Sequence, residues 1–374
     1  MSVPIVVVGG GIAGLMVTLK LVQAGYRVVL LEGHSCLGAQ SSTHNHGWLH
    51  HSGRFYLLLH GMEVVHQCQA GARELLALAP HCVEPRQGAY LVTAAPERAH
   101  RYIQRCHEVG LSPHEVSLKT LREREPALQG APLQAAFGVS DRPFVPSVVL
   151  QVLYTAAVQA GAEVRCGIIV RGFRFAAGRI IGVKCQHNGS LEEIPTSFVV
   201  NAAGAWSRGL LHTAGLDVPD IRLFQSSLLV VEPPLTADRM LLSLDAQGAT
   251  IVPHRTRTVV GVNGDARPLE APEEMPSDHA SRNILIGAVG ALLPTIAGRQ
   301  HRKAFVWTCR KTEFVCSRTH AQGRSPAYAV LDHSAEGVSN LLTCLPGKFT
   351  TAPVMAAAVL SAMREKLPLP LRRR

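Results

Sequence analysis

The chain has 374 residues, of which 47% are hydrophobic and 17% are charged. This composition is typical of a globular protein and excludes a largely disordered chain. No stretch reaches the roughly 18 apolar residues that a membrane-spanning helix needs, so we expect no transmembrane segment. The net charge is +10, but the basic residues are dispersed, apart from Arg372 to Arg374. We therefore expect a basic surface or a small anionic partner, and no nucleic acid.

The N-terminus predicts a strand, a helix and a second strand. Pro4 to Val8 and Arg27 to Leu31 are short apolar runs, and Ile12 to Ala24 has a helical pattern that Gly25 should end. Two buried strands joined by a helix form a parallel crossover unit. Cleavage of a signal peptide would destroy this unit, so we expect a cytoplasmic protein.

A glycine motif lies between the first strand and the helix. Residues 9–14 fit the pattern GxGxxG at this position. Gly9 permits a tight turn, Gly11 lets the backbone approach a pyrophosphate, and Gly14 lets the helix pack closely on the strand. Glu32 ends the second strand, where a carboxylate can bind ribose hydroxyl groups. The motif predicts a site for the ADP half of a dinucleotide, either NAD or FAD.

Hydrophobic patterns along the rest of the chain alternate between helix and strand. Helices are predicted over residues 60–78, 97–109, 147–159 and 351–363. Strands are predicted over residues 88–93, 163–175, 180–186, 198–201, 226–231, 249–252, 258–262, 304–308 and 341–344.

The predicted fold is α/β, with a Rossmann-like dinucleotide-binding domain that is discontinuous along the chain. This domain takes residues 1–80, 145–215 and 335–374. A substrate domain with a mixed or antiparallel sheet is inserted twice, as residues 81–144 and 216–334.

Several later segments match known patterns in chain order. They are residues 32–43, 199–207, 251–254, 260–263 and 307–312. In this order they resemble the D-amino-acid-oxidase-like superfamily of FAD oxidoreductases. Residues 347–353 are similar to a segment of its glycerol-3-phosphate dehydrogenase branch, and residues 44–53 to one of its L-2-hydroxyglutarate dehydrogenase branch.

The resemblance implies FAD as the cofactor. Reduction of the flavin places negative charge near N1 and C2=O, where a helix N-terminus or N–H donors stabilise it. Residues 347–351 supply a glycine turn, a lysine and a helix start, although Thr350 or Thr351 could simply cap the helix. With the glycine motif, the implied cofactor contacts are Gly9, Gly11, Gly14, Glu32, Ser41, Ser42, Thr43, Ala203, Gly204, Trp206, Gly347, Lys348, Thr350 and Thr351.

Four of the 18 histidines lie between residues 44 and 51. A flavin accepts a hydride at N5 while a base removes the adjoining proton, a task that suits histidine near neutral pH. Relative to the family pattern the segment has one extra residue, so either His50 or His51 is expected as this base. His44 or His46 could instead bind the flavin covalently, as in some relatives. No carboxylate or cysteine accompanies them at ligand spacing, so we expect no metal.

Arg54, Arg310 and Lys348 are candidate anchors for an anionic substrate, because such side chains bind carboxylate or phosphate. Arg310 matches the family arginine that often faces substrate, although the glycine and proline of the family pattern are missing here. A surface charge is the alternative for each. Tyr56 and Tyr328 could cover the site.

We therefore expect an FAD-dependent oxidoreductase that removes a hydride from CH–OH, or CH–NH, beside an anionic group of a small molecule. CH–OH is favoured because the segments at 44–53 and 347–353 resemble branches that act on alcohols. The alternatives are an amino-acid or amine oxidase of the same fold, an NAD-dependent dehydrogenase, and a non-catalytic nucleotide-binding protein. The sequence does not say whether oxygen or another acceptor reoxidises the flavin.

Overall fold

The computed structural model describes residues 3–85, 88–237, 239–263, 266–274, 279–296, 303–314 and 327–367. Its helices are α1 (Ile12–Gln23), α2 (Met62–Leu78), α3 (Pro96–Glu108), α4 (Leu118–Arg124), α5 (Pro146–Gln159), α6 (Ser207–Thr213), α7 (His279–Leu292) and α8 (Ala352–Arg364). Within these described ranges, no helix combines the length and the apolar character needed to cross a membrane.

The strands run through the whole described chain. They are β1 (Ile5–Val8), β2 (Val28–Glu32), β3 (Trp48–Leu49), β4 (Ala89–Thr93), β5 (Ala135–Val139), β6 (Arg142–Pro143), β7 (Glu163–Cys166), β8 (Ile168–Ala176), β9 (Arg179–His187), β10 (Ser190–Pro195), β11 (Phe198–Asn201), β12 (Ile221–Glu232), β13 (Met240–Ser243), β14 (Ala249–Pro253), β15 (Thr258–Val262), β16 (Arg267–Leu269), β17 (Lys303–Phe314), β18 (Tyr328–Asp332) and β19 (Leu341–Pro346).

A mostly parallel sheet carries the glycine motif. In the described residues its strand order is β18-β19-β11-β1-β2-β7, and all its pairs are parallel except β18 with β19. Strands β1, β2 and β11 are buried along their length, which explains their continuous apolar sequences. Helices α1, α5 and α8 pack on one face, and α6 with the sheet of β8 to β10 covers the other.

A second, mixed sheet forms the other half of the molecule. Its described strands follow the order β16-β12-β15-β14-β13-β4-β5, and β17 pairs along the whole of β12. The pair β4 and β13 is parallel, whereas the other pairs are antiparallel. The predicted α/β fold, with a Rossmann-like unit and a mixed sheet, is confirmed.

One strand prediction needs correction. The single strand predicted over residues 163–175 is broken at Gly167, where φ is +74°. Strand β7 therefore joins the parallel sheet beside β2, while β8 turns into β9 in a separate antiparallel sheet. Strand β18 falls within the predicted substrate domain, but it pairs with β19 in the parallel sheet. The division into two domains otherwise stays a prediction.

Close packing at Gly71 in α2 yields a stability prediction. A Cβ at this position would lie 1.9 Å from the carbonyl oxygen of Thr350. We expect Gly71→Ala to lower the free energy of unfolding by about 1–3 kcal/mol, the usual cost of overpacking. Urea unfolding followed by circular dichroism measures the change.

A matched control lies in α7. Gly287 has no atom within 4 Å of its would-be Cβ, and alanine is favoured over glycine inside a helix by roughly 0.5–1 kcal/mol. Gly287→Ala should therefore leave stability unchanged or raise it. If the two variants unfold at the same urea concentration, the close contact between α2 and Thr350 is wrong.

Candidate active site

A cavity of about 870 Å³ lies between the two large sheets. Its lining includes residues at the carboxyl ends of β1, β2, β11 and β19, and residues of β12, β15 and β17. The carboxyl ends of parallel strands are where ligands bind in open α/β sheets. The volume falls in the range of about 300–1,000 Å³ that is common for ligand pockets.

The glycine motif forms one end of this cavity, and Gly9 and Gly11 line it. Gly9 has φ of +109°, and a Cβ there would lie 2.4 Å from the carbonyl oxygen of Ala202. Gly14 lies outside the lining, and a Cβ there would lie 1.8 Å from the carbonyl oxygen of Gly9. The motif therefore permits the close approach of α1, β1 and the turn after β11.

The buried carboxylate of Glu32 closes the same end. It accepts hydrogen bonds from the backbone N–H of Gly10 at 2.5 Å and of His34 at 2.8 Å. These bonds hold the end of β2 against the glycine turn, and the side chain lines the cavity.

The serine segment that follows connects the two sheets. The Ser42 hydroxyl oxygen accepts from the N–H of Ile12 at 3.0 Å, and the Ser41 hydroxyl donates to the carbonyl oxygen of Arg310. Both serines line the cavity. Thr43 does not line it, because its hydroxyl donates to the carbonyl oxygen of Gly38 at 2.7 Å.

The turn after β11 forms the next part of the wall, where Ala203, Gly204 and Trp206 line the cavity. The buried side chain of Asn201 shapes this turn, since its Nδ2 donates to the carbonyl oxygen of Ser207 at 3.0 Å and its Oδ1 accepts from the N–H of Ala203 at 3.2 Å. Trp206 Nε1 donates to Glu273 at 3.0 Å.

His50, rather than His51, lies in the wall at the other end of the cavity. Its Nε2 is 3.1 Å from the Tyr56 hydroxyl, and its ring centroid is 4.0 Å from that of Trp48. Burial, followed by the charge of Lys348, lowers the pKa of His50 well below its usual value. His50 is therefore a neutral imidazole at physiological pH.

The other three histidines of the segment differ in position. His46 lines the cavity and is buried, and burial lowers its pKa to about 4. His44 does not line it and instead packs against Trp307. His51 is half-buried outside the cavity, with Nδ1 3.2 Å from the Ser140 hydroxyl. Of the two residues expected as covalent flavin partners, His46 alone faces the cavity.

Gly347 and Lys348 line the cavity just before α8. Lys348 Nζ lies 4.3 Å from the ring centroid of Tyr56, and burial lowers the pKa of this lysine. Thr350 and Thr351 do not line the cavity. Thr350 Oγ1 accepts from the N–H of His50 at 3.2 Å, and Thr351 Oγ1 donates to the carbonyl oxygen of Ala327 at 2.9 Å. The threonines therefore position the turn and the histidine segment.

Two of the predicted substrate contacts, Arg54 and Tyr328, do not line the main cavity. Arg310 lines the cavity, with Nη1 3.4 Å from Gln40 Oε1. Arg54 does not, because its Nη1 donates to the carbonyl oxygen of Ser112 at 3.0 Å and it lines a second cavity. Tyr328, at the start of the edge strand β18, packs against the apolar core of the parallel sheet.

Sequence reasoning missed several residues of this site. Lys311 and Gln40 line the cavity. Asp141 is buried and accepts hydrogen bonds from Trp48 Nε1 at 3.0 Å and from the Ser52 hydroxyl. The sequence around Asp141 did not indicate that it accepts these hydrogen bonds, since its partner Trp48 lies 93 positions away.

The family profile for FAD-dependent oxidoreductases matches residues 4–360. The chain belongs to this family. The predicted cofactor, FAD, is confirmed, as is the predicted class of enzyme, an FAD-dependent oxidoreductase.

The chain is similar to subunit A1 of the anaerobic glycerol-3-phosphate dehydrogenase of Haloferax volcanii, with 26% identity over 98% of the chain and 64% of the relative. It therefore spans slightly less than two thirds of that protein. Glycine oxidase from Geobacillus kaustophilus has a TM-score of 0.74 and 19% identity, covering 98% of this chain and 96% of that one. Glycerol-3-phosphate dehydrogenase from Bacillus halodurans, complexed with FAD, has a TM-score of 0.71 and 17% identity, covering 99% and 66%. At this identity both structures show a shared fold.

The residues of the main cavity fit FAD. The cavity extends from the glycine motif and Glu32 to Lys348, and so offers room for both halves of a dinucleotide. At the second end, two buried lining atoms, His46 Nε2 and His50 Nδ1, have no hydrogen-bond partner among the described residues. Buried polar atoms are rarely left unpaired, so a polar ligand at this end would satisfy them.

Asp141 yields a prediction of pH dependence. Burial raises the pKa of Asp141 to about 6, compared with about 3.9 in an unfolded chain. Between these values the folded state binds more protons than the unfolded state, so ionisation of Asp141 lowers stability as pH rises from about 4 to about 6.

Asp141→Asn removes this titration and keeps the side-chain shape. The free energy of unfolding of the wild type, minus that of the variant, should fall by roughly 1–3 kcal/mol between pH 4 and 6 and stay level above pH 7. Urea unfolding at a series of pH values measures it. A constant or rising difference would show that Asp141 is not a strongly buried carboxylate.

Proposed function

We propose that this protein uses FAD to oxidise a CH–OH group beside an anionic group of a small molecule, such as a phosphate ester. One observation carries the proposal. The neutral His50 and the cationic side chains of Arg310, Lys311 and Lys348 line one and the same cavity.

The glycine end would hold the ADP moiety of FAD, near Gly9, Gly11 and Glu32, because backbone N–H groups and a helix N-terminus favour phosphates. The opposite end, where Gly347 and Lys348 precede α8, would hold the flavin ring. FAD, when bound, supplies the acceptor for the two electrons and the hydrogen that leave the substrate carbon.

His50 is the proposed base. Tyr56 remains protonated, because burial raises its pKa well above the usual value. With His50 Nε2–H donating to the Tyr56 oxygen, Nδ1 carries the lone pair that accepts the proton of the substrate hydroxyl. The low pKa of His50 keeps this lone pair free at neutral pH.

The cationic side chains support an anionic substrate. Among the described lining residues the carboxylates are Glu32 and Glu273, and both accept hydrogen bonds from protein groups. Lys311 Nζ lies 3.7 Å from a carboxylate oxygen of Glu313, and the positive charges of Arg310, Lys311 and Lys348 together favour phosphate or carboxylate oxygens of the substrate. The named activity of the Haloferax volcanii relative, glycerol-3-phosphate dehydrogenase, favours a phosphate ester.

A substrate panel tests the proposal. The purified protein should be yellow, and a phosphorylated polyol such as glycerol 3-phosphate or a 2-hydroxy acid should bleach the flavin anaerobically. The shared fold with glycine oxidase makes amino acids the matched alternative panel. Bleaching by amino acids alone would replace this function with amino-acid oxidation, and a colourless protein would refute the flavin-dependent function altogether.

The assignment of His50 is tested by a pair of variants. His50→Gln should lower the rate of flavin reduction by about 10²–10⁴-fold, the usual contribution of a general base, without loss of bound FAD. His51→Gln is the control, since His51 lies outside the cavity, and its rate should stay near that of the wild type. Anaerobic stopped-flow absorbance measures both rates. Equal losses in the two variants would count against His50 as the base.

A further inference from the structure

A second cavity, of about 460 Å³, lies next to the histidine segment. It is formed by the turn around Ser52 and Arg54, the start of β4, the end of β5 and the residues after it, and the loop around His114. None of its described lining residues also lines the main cavity. It is therefore a separate site, and ligand binding there does not depend on the proposed function.

The charged residues that line this second cavity are all basic. Three arginines and a histidine line it, and no aspartate or glutamate is among its described lining residues: the basic residues are Arg54, His114, Arg142 and Arg239. Such a lining creates a positive potential inside a concave surface, which concentrates anions.

Two of these guanidinium groups lack counter-ions. Within the described ranges, neither Arg54 nor Arg142 forms an ion pair with a carboxylate. Arg54 uses one N–H on the carbonyl oxygen of Ser112, which leaves its other donors available. Arg142 is half-buried in β6. After burial, its charge is the next cause that lowers the pKa of His51.

Two glycines let basic side chains of this cavity pack closely against the backbone. A Cβ at Gly138 would lie 3.1 Å from His114 Nδ1, and a Cβ at Gly88 would lie 3.3 Å from Arg239 Nη1. Gly88 also has φ of +86°, a conformation that other residues rarely adopt. The glycines thus let His114 and Arg239 lie directly against the backbone wall of the cavity.

We propose that the second cavity binds a small anion through a phosphate or carboxylate group, held by Arg54, Arg142 and Arg239. Arginine binds either group through paired charge-assisted hydrogen bonds. The Ser140 side chain in the lining supplies a further hydroxyl donor. The volume leaves room for an organic part as well as the anionic group.

The bound anion would lie beside the side chains that hold His50 in position. Ser52 lines the second cavity and donates to Asp141, which also accepts from Trp48. The ring of Trp48 packs against that of His50 in the wall of the main cavity. The two sites are thus in contact through three side chains without sharing a lining residue.

Calorimetric titration of the FAD-loaded protein tests the site, with inorganic phosphate as one probe and malonate as the other. Arg142→Gln and, separately, Arg54→Gln should each weaken saturable binding of at least one probe about tenfold or more, since a charge-assisted hydrogen bond contributes roughly 1.5–3 kcal/mol. The probe that binds more tightly distinguishes a phosphate site from a carboxylate site. Flavin absorbance and circular dichroism verify that each variant is folded and loaded.

Two control variants locate the anion. Arg101→Gln removes an exposed charge on α3 and should leave binding unchanged, and Lys311→Gln, in the main cavity, should leave this binding event in place. Binding that is lost in Lys311→Gln but kept in Arg142→Gln would overturn the proposal, as would equal weakening in Arg101→Gln or the absence of saturable binding. Because the readout is heat of binding, a failure here is distinct from a failure of substrate oxidation.

Discussion

Hydrogen bonds fix the segment 41–56 to several residues that are distant in sequence. The Ser42 hydroxyl binds the N–H of Ile12, and the Ser41 hydroxyl binds the carbonyl oxygen of Arg310. Further along, Trp48 binds Asp141, and the N–H of His50 binds Thr350. These partners belong to the first helix, strand β17 of the mixed sheet, the loop between β5 and β6, and the turn before α8. The wall of the main cavity that contains His50 therefore exists only when both sheets are in place, and the position of His50 depends on all these partners.

Burial away from water determines the protonation states of the ionisable side chains around His50. Burial is the largest cause of the lowered pKa of His46, His50 and Lys348, and of the raised pKa of Tyr56 and Asp141. All these shifts favour the neutral form, as expected where solvent cannot stabilise charge. Electrostatic attraction to an incoming anion is correspondingly stronger at such a site than at the surface.

The sequence predicts best what is local. The strand–glycine–helix unit and Glu32 are predictable because their spacing is set by adjacent elements, and the structure has them within one or two residues of the expected bounds. The choice between His50 and His51 could not be made, since one residue of register in the segment decides which side chain faces the cavity. Asp141 could not be predicted as a site residue for a different reason. Its hydrogen bonds to Trp48 and Ser52 form only after folding brings these residues together. Strand β18 was not predicted, because its pairing with β19 depends on tertiary structure that its short sequence does not specify.

The order of strands in the parallel sheet has a consequence for synthesis of the protein. Strand β11 lies between β1 and β19, so one of its edges stays unpaired until residues 341–346 have left the ribosome. An unpaired apolar strand is a site for misassembly with other chains. The turn at Gly347 and Lys348, which lines the main cavity, follows directly after β19, so the nascent chain cannot complete this cavity earlier. A chain truncated before residue 341 would therefore lack this part of the wall and would leave an apolar strand edge unpaired, which favours aggregation.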